Sequence, residues 1–255
     1  MSKTDAPERL VNVPERLVKT YKDISPHEIP DDRAYIDIVN KIAPYTMALN
    51  DGLDTTYALF QAVKYVCKNN ISGDMVECGV WRGGSMMLVA YTLQHFGDTT
   101  RELYLYDTFA GMTEPSEIDI DFDNIAYKPR WKEITTQGGL MGFGDTAERV
   151  KTNMLLTGYP ERQMRFIVGD VLQTIPAALP SRISVLRLDT DWYKSTLHEL
   201  EHLYDLIVPN GVLIIDDYGW CRGSRHATDE FFRRRRFKPM MHRIDQGPRI
   251  LIKPM

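Results

Sequence analysis

This chain has little cysteine, little net charge and no long apolar run, and each shortage excludes something. Its 255 residues include three cysteines, Cys67, Cys78 and Cys221. They show no metal-ligand spacing and leave an odd thiol, which points to a reducing compartment and away from a disulfide framework. No apolar stretch approaches the roughly 20 residues that span a bilayer. The N-terminus, Met-Ser-Lys-Thr-Asp-Ala-Pro-Glu-Arg, lacks the apolar core of a signal peptide. Cytoplasmic residence without a membrane partner is therefore expected. A formal net charge of −4 supplies no field to recruit nucleic acid. Neither a Gly-x-Gly-x-x-Gly turn nor a Gly-Lys-Ser/Thr phosphate loop is present. The remaining composition, 43% hydrophobic and 26% charged, suits a globular protein with a real core.

Organisation follows from the pattern of apolar residues. Residues 1–30 are polar and punctuated by Pro7, Pro14, Pro26 and Pro30, as in a mobile arm or an oligomer contact; a homo-oligomer, dimer or larger, is expected. Leu53–Lys68 has one apolar face at helical spacing. Residues 1–70 thus read as an arm and helical extension, and 71–255 as the main domain. There, strands are expected at Met75–Cys78, Leu103–Tyr106, Met164–Val168, 183–189 and 211–216. Helices are expected at Ser85–Phe96, capped by Ser85, and at Thr146–Leu156, Ser195–Ile207 and Ser224–Arg235. Residues 111–144, rich in Asp, Pro and Gly, break the rhythm. Pro239–Ile244 and Pro248–Ile252, around Asp245-Gln246-Gly247, read as a β-hairpin. Strands alternating with helices imply an α/β, Rossmann-like doubly wound sheet, mostly parallel, with an antiparallel strand inserted at one edge.

Two strands end abruptly in acids. Ile183-Ser-Val-Leu-Arg-Leu-Asp189 runs into Asp191, and Gly211-Val-Leu-Ile-Ile-Asp216 runs into Asp217. Ligands of open α/β sheets bind outside the carboxyl ends of the strands. Carboxylates crowded there resist joint ionisation, so something positive should sit among them, and a hard cation such as Mg²⁺ or Mn²⁺ is the simplest candidate. A single aspartate would read as a helix cap; doubling at 216–217 beside 189 and 191 favours a metal.

The first strand of the domain leads into Glu77-Cys-Gly79-Val-Trp-Arg-Gly83-Gly84-Ser85 and a helix. Glycines let a ligand approach the backbone there, and the helix N-terminus offers free N–H groups. Asp107 ends the second strand 23 residues after Gly84 (107 − 84), where an acid can accept from ribose hydroxyls. Together these imply a nucleoside-containing cofactor. An acid preceding the glycine turn is closer to an S-adenosylmethionine pattern than to a nicotinamide one.

At this point the residues resemble a known family. Glu-Cys-Gly-Val-Trp-Arg-Gly-Gly-Ser (77–85), Tyr-Asp-Thr-Phe-Ala-Gly (106–111), Leu-Arg-Leu-Asp-Thr-Asp-Trp-Tyr-Lys-Ser-Thr (186–196) and Ile-Ile-Asp-Asp-Tyr (214–218) are similar to the macrocin O-methyltransferases. Those are Mg²⁺- and S-adenosylmethionine-dependent enzymes acting on sugar hydroxyls or a phenol. The resemblance implies a class I methyltransferase fold with a seven-stranded sheet and a substrate lid at 112–144. It implies metal ligands at Asp189, Asp216 and Asp217, with Asp189 also the general base. It implies cofactor contacts from Glu77, Gly79, Gly83, Ser85, Asp107, Thr108 and Asp170, with Thr46 and Met47 closing over the methionine end. The acceptor would be a sugar-containing small molecule.

The chemistry fits. Two vicinal oxygens on Mg²⁺ acidify a sugar hydroxyl and fix it in line with the sulfonium methyl, and a nearby carboxylate accepts the proton. Asp191 is a further partner or the alternative base. His198 and His202 stand four apart on a helix but lack a third ligand. His226 is a cap, a solvated residue or a substrate contact. Arg222 and Arg225 could steady Asp216 and Asp217, bind a substrate phosphate, or form plain salt bridges. The Arg233–Arg236 run reads as a solvated helix end. Alternatives are an O-methyltransferase of a catechol-like phenol, an NAD(P)-dependent oxidoreductase (whose glycine turn is missing) and a non-catalytic cofactor-binding scaffold.

Overall fold

The computed structural model describes Ile29 and residues 32–49, 52–136 and 144–255. Apart from Ile29, the expected arm over residues 1–30 lies outside the described residues, as do residues 137–143 of the insertion.

Helix α1, Arg33–Ile42, starts where the Asp32 carboxylate accepts the Tyr35 N–H at 3.2 Å, and it buries Tyr35, Ile38, Val39 and Ile42. That i, i+3, i+4, i+7 stripe falls within the expected helical extension. Helix α2, Asp54–Lys68, buries Leu59, Phe60, Val63 and Val66. The Tyr35 hydroxyl joins the two helices, bonding the Leu53 carbonyl and Thr56 Oγ1.

The alternation follows as β1 Asp74–Cys78, α3 Gly84–His95, β2 Leu103–Asp107, α4 Tyr127–Thr136, α5 Ala147–Leu155, β3 Met164–Val168, α6 Val171–Thr174, β4 Ile183–Leu188, α7 Tyr193–Leu203, β5 Ile207–Ile215, α8 Arg222–Arg234, β6 His242–Arg243 and β7 Arg249–Ile252. The sheet has seven strands in the order β3-β2-β1-β4-β5-β7-β6. Strands β1 to β5 pair in parallel, while β7 runs antiparallel between β5 and β6. The terminal hairpin thus inserts the expected antiparallel strand.

Side chains alternate across β1, so Met75 packs on one face with α1, α2, α3 and α5, and Val76 and Cys78 pack on the other with α6, α7 and α8. Glu77 shares the face of Met75. Strand β4 is buried along its whole length, as a central parallel strand must be. Among the described residues no helix is long and apolar enough to cross a membrane.

Several boundaries differ from expectation. Helix α3 is capped by Gly83, at φ +89°, and not by Ser85. Helix α7 begins at Tyr193 and ends at Leu203, because Ile207 already belongs to β5. The Val208-Pro-Asn-Gly211 stretch, which has the composition of a turn, is a bulge inside β5: Ile183 pairs with Ile207, yet Val185 pairs with Val212. Helix α4 lies within the insertion, which carries no periodic signal.

Candidate active site

The carboxyl ends of β1, β2, β4 and β5 open into one cleft of ≈ 280 Å³. Its walls include the glycine turn, the Tyr45–Ala48 stretch and the acids after β4 and β5. Of the expected cofactor residues, Thr46, Met47, Gly79, Ser85, Asp107, Thr108 and Asp170 line it, whereas Glu77 and Gly83 do not. Gly83 packs against α5 instead, where a Cβ would meet Val150 at 3.2 Å.

The glycine turn is shaped first by protein packing. A Cβ on Gly79 would stand 1.9 Å from the Asp189 carbonyl oxygen, so its absence lets the acid-bearing end of β4 lie against the end of β1. Asp107 then fastens the turn: its Oδ2 accepts from the Val80 and Trp81 N–H groups at 2.6 and 3.0 Å, and its Oδ1 from Phe109 N–H at 2.8 Å. Trp81 is held at φ +47° and Asp191 at φ +64°. Such left-handed non-glycine residues cluster at functional sites, and both of these line the cleft. Asp170 lines it too while capping α6 through Leu172 N–H at 2.9 Å.

Electrostatics centre on Arg187, which in the sequence is one letter of a motif and carries no signal of its own. It is only 5% exposed. Its Nη1 donates to Glu77 Oε1 and Asp189 Oδ2, and its Nη2 to Asp216 Oδ1, each at 2.6 Å. Glu77 and Arg187 are direct partners across β1 and β4, so the sheet register makes this pair. Part of the positive charge demanded by the acids is therefore a guanidinium. Arg222 and Arg225 do not supply it, since Arg222 bonds the Phe122 carbonyl and Arg225 faces Asp229.

The acids that remain are Asp189, Asp191 and Asp217, each offering a carboxylate oxygen within 4.8 Å of the others. Asp216, expected among the ligands, points one oxygen at Arg187 instead, and Asp191 stands in the trio. Neither Asp189 nor Asp216 caps a following helix. Burial and mutual repulsion hold Asp189 and Asp217 well above the usual carboxylate range, with Arg187 opposing. Burial, with Asp216 and Asp119 adding repulsion, pushes Asp191 to about 7. Burial outweighs Arg187 at Glu77, also raised to about 7, and its Oε2 is buried with no donor. An all-oxygen trio whose members resist joint ionisation fits a hard divalent cation.

Two further buried acids have no signal in the sequence. Glu199 on α7 accepts the Thr190 hydroxyl with both oxygens, at 2.9 and 3.1 Å. Asp119, in the insertion, accepts Ser116 N–H and hydroxyl at 2.7 and 2.6 Å and Tyr193 N–H at 2.7 Å. It fills space that a Cβ on Gly223 would take, 1.9 Å from its Oδ1. Nearby, Trp192 Nε1 donates to the Thr113 carbonyl and Arg222 N–H to the Ile120 carbonyl, both at 2.9 Å. Residues 113–127 are thereby strapped across the starts of α7 and α8, next to Asp191 and Asp217. His198 and His202 bond the Ile175 and His198 carbonyls, away from the acids.

Fold and site define an α/β sheet with a glycine turn beside an acidic cluster, the architecture of class I S-adenosylmethionine-dependent methyltransferases. The sequence signature of the Macrocin-O-methyltransferase (TylF) family matches residues 33–249, and the chain belongs to that family. It is 36% identical over 177 residues to the 8-demethyl-8-(2,3-dimethoxy-alpha-L-rhamnosyl)-tetracenomycin-C 4'-O-methyltransferase of Streptomyces olivaceus, covering 69% of this chain and 65% of that one. It is 32% identical over 171 residues to demethyldecarbamoylnovobiocin O-methyltransferase of Streptomyces niveus, covering 67% and 62%. The match thus spans a little under two thirds of the length of those relatives. Among solved structures, the O-methyltransferase NovP aligns with a TM-score of 0.71 at 28% identity, covering 83% of both chains. The calicheamicin methyltransferase CalS11, at 13% identity and a TM-score of 0.63, shares the fold over 98% of this chain and 99% of its own.

Proposed function

We propose that this chain is an O-methyltransferase that moves the methyl of S-adenosylmethionine to a hydroxyl of a sugar-containing small molecule. The observation that carries this reading is convergence: the glycine turn, Asp107 and Asp170 share one cleft with Asp189, Asp191 and Asp217. Family membership supports the reaction class. The S. olivaceus relative, whose name places a rhamnosyl group on its substrate, supports a sugar acceptor.

Bound S-adenosylmethionine would supply an already activated sulfonium methyl, leaving orientation and electrostatics to the protein. In this reading Asp107 and Thr108 would meet the ribose hydroxyls, Asp170 the adenine, and Thr46 and Met47 the methionine end, all of them residues that line the cleft. Glu77 lies behind Arg187, with its undonated Oε2 available to a cationic group. Asp189, Asp191 and Asp217 would hold Mg²⁺ or Mn²⁺, and the ion when bound would supply Lewis-acid activation of an acceptor hydroxyl. The acceptor proton would pass to the Asp189 carboxylate, which stands in the acidic trio at the end of β4. Arg187 fixes that carboxylate by donating to its Oδ2.

Calorimetric titration of S-adenosylhomocysteine with and without Mg²⁺, on the native chain and Asp217→Ala, tests this. Cofactor binding in both proteins, with Mg²⁺ binding lost in the variant, is expected. Folded protein that fails to bind the cofactor would overturn the reading; cofactor binding with no Mg²⁺ site would leave a metal-free methyltransferase.

A further inference from the structure

A second depression, ≈ 630 Å³, lies beside the cleft and is lined by Phe122, Tyr218, Arg222, Arg225, His226 and Arg233 among others. The two are separated by an aromatic pair, Phe122 of the groove and Trp220 of the cleft, with ring centroids 5.7 Å apart. Tyr218 follows Asp217 directly in the chain, so the groove begins one residue from the acidic trio.

Its charges are unbalanced. Three guanidiniums and an imidazole face two carboxylates, Asp229 and Glu230, and neither acid reaches Arg222 or Arg233. Asp229 accepts the Tyr218 hydroxyl at 2.7 Å and meets Arg225 only at 3.9 Å. Glu230 accepts the Tyr193 hydroxyl at 2.7 Å, pairs with Arg234 and meets His226 at 3.8 Å. Arg222 finds a carbonyl at 3.3 Å, and among the described residues Arg233 makes no ion pair. Arg225 and Arg249 lie over the Tyr218 ring at 5.5 and 5.1 Å. Arg249 is held below the usual arginine range chiefly by burial, with Arg243 and Arg225 adding to it.

A plain solvated helix face would pair these charges, and α8 does so elsewhere: Arg234 meets Glu201 and Arg235 takes both oxygens of Asp205. In the groove Arg225 meets Asp229 only loosely, and among the described residues Arg222 and Arg233 make no ion pair at all. They collect in a concavity next to the acceptor site, in a chain of net charge −4. Guanidinium forks match phosphate oxygens, and the Phe122 and Tyr218 rings add flat faces. A neutral, apolar substituent would leave those guanidiniums desolvated and unpaired.

Resting on the sugar O-methyltransferase reading, we infer that the groove binds a phosphate or diphosphate on the acceptor, so that the sugar is methylated as its phosphate ester or nucleoside diphosphate conjugate. The hydroxyl end meets Asp189, and the phosphate end lies among Arg222, Arg225 and Arg233. A reaction that activates the sugar as such an ester must then precede methylation.

The test is calorimetric binding of uridine diphosphate and of inorganic pyrophosphate to the full chain saturated with S-adenosylhomocysteine. It uses the native protein, the Arg222→Ala/Arg225→Ala double variant and, as a control, Arg234→Ala. Binding should weaken at least roughly tenfold in the double variant, fall with added salt and stay unchanged in the control. Pyrophosphate binding as tight as uridine diphosphate would indicate a simple sugar phosphate; tighter nucleotide binding would indicate the conjugate. No binding to the native chain, or binding indifferent to the double variant, would overturn the inference. If S-adenosylhomocysteine binds and a neutral methyl glycoside is methylated equally by native and double-variant protein, only the groove assignment falls. Absence of cofactor binding would instead sink the methyltransferase reading.

Discussion

Arg187 engages three carboxylates at once, and its position shows how much one buried cation can organise. Replacing it with methionine keeps the stem but leaves Glu77, Asp189 and Asp216 facing one another without compensation. Removing one partner of a buried ion cluster costs about 3–5 kcal/mol; Arg187→Met should show that loss as a lowered urea midpoint, and an unchanged midpoint would contradict the assigned role. Glu199 gives the opposite kind of prediction. It is fully buried, and desolvation, opposed by the Thr190 hydroxyl, raises its carboxyl from 4.5 to about 8. Because the folded value exceeds the unfolded one, the stability is whole below about pH 4.5. It is lost as pH rises toward 8, at up to ~1.4 kcal/mol per unit. Glu199→Gln should therefore be more stable than the native chain near pH 8, with the gap closing toward pH 5. Parallel denaturation curves across that range check it; a gap that stays constant would rule it out.

The strap over residues 113–127 depends on Asp119, which supplies the N-terminal acceptor of α7 from a distant part of the chain. Asp119→Ala removes three hydrogen bonds and should cost about 1–2 kcal/mol, as loss of a helix cap does. Hydrogen exchange at the Tyr193 and Arg222 amides should quicken while the β1–β4 amides stay protected; uniform protection in the variant would refute the strap. At this scale much was legible. Met164–Val168 is the β3 strand as expected, and the alternation from β1 through β5 follows from periods that the chain displays locally. What escaped has physical reasons. Helix α4 carries no apolar stripe, and the bulge at Pro209–Gly211 has the composition of a turn. Ser85 looks like a cap, but the cap is Gly83, two residues earlier and in the left-handed conformation.

Metal binding would be felt by the whole molecule, since Asp189 and Asp217 end the two central strands β4 and β5. Ligands that bind only the folded state stabilise it by mass action, about 2.7 kcal/mol at a hundredfold excess over Kd. In a chain of this size, Mg²⁺ at that excess should raise Tm by about 5–10 °C, and Asp217→Ala should abolish the rise. A native chain whose melting ignores Mg²⁺ would remove the cation from the site. The sequence alone determined the order of strands and helices and the placement of acids at two strand ends, because hydrophobic periodicity and strand length are local properties. Only the tertiary structure decided that Arg187 reaches Glu77 from 110 residues away and that Asp191 rather than Asp216 completes the acidic trio. It also decided that Asp119 closes the strap and that Arg222, Arg225 and Arg233 gather beside the cleft. Those outcomes depend on strand register and on which loops meet at the sheet's edge, and long-range packing sets both.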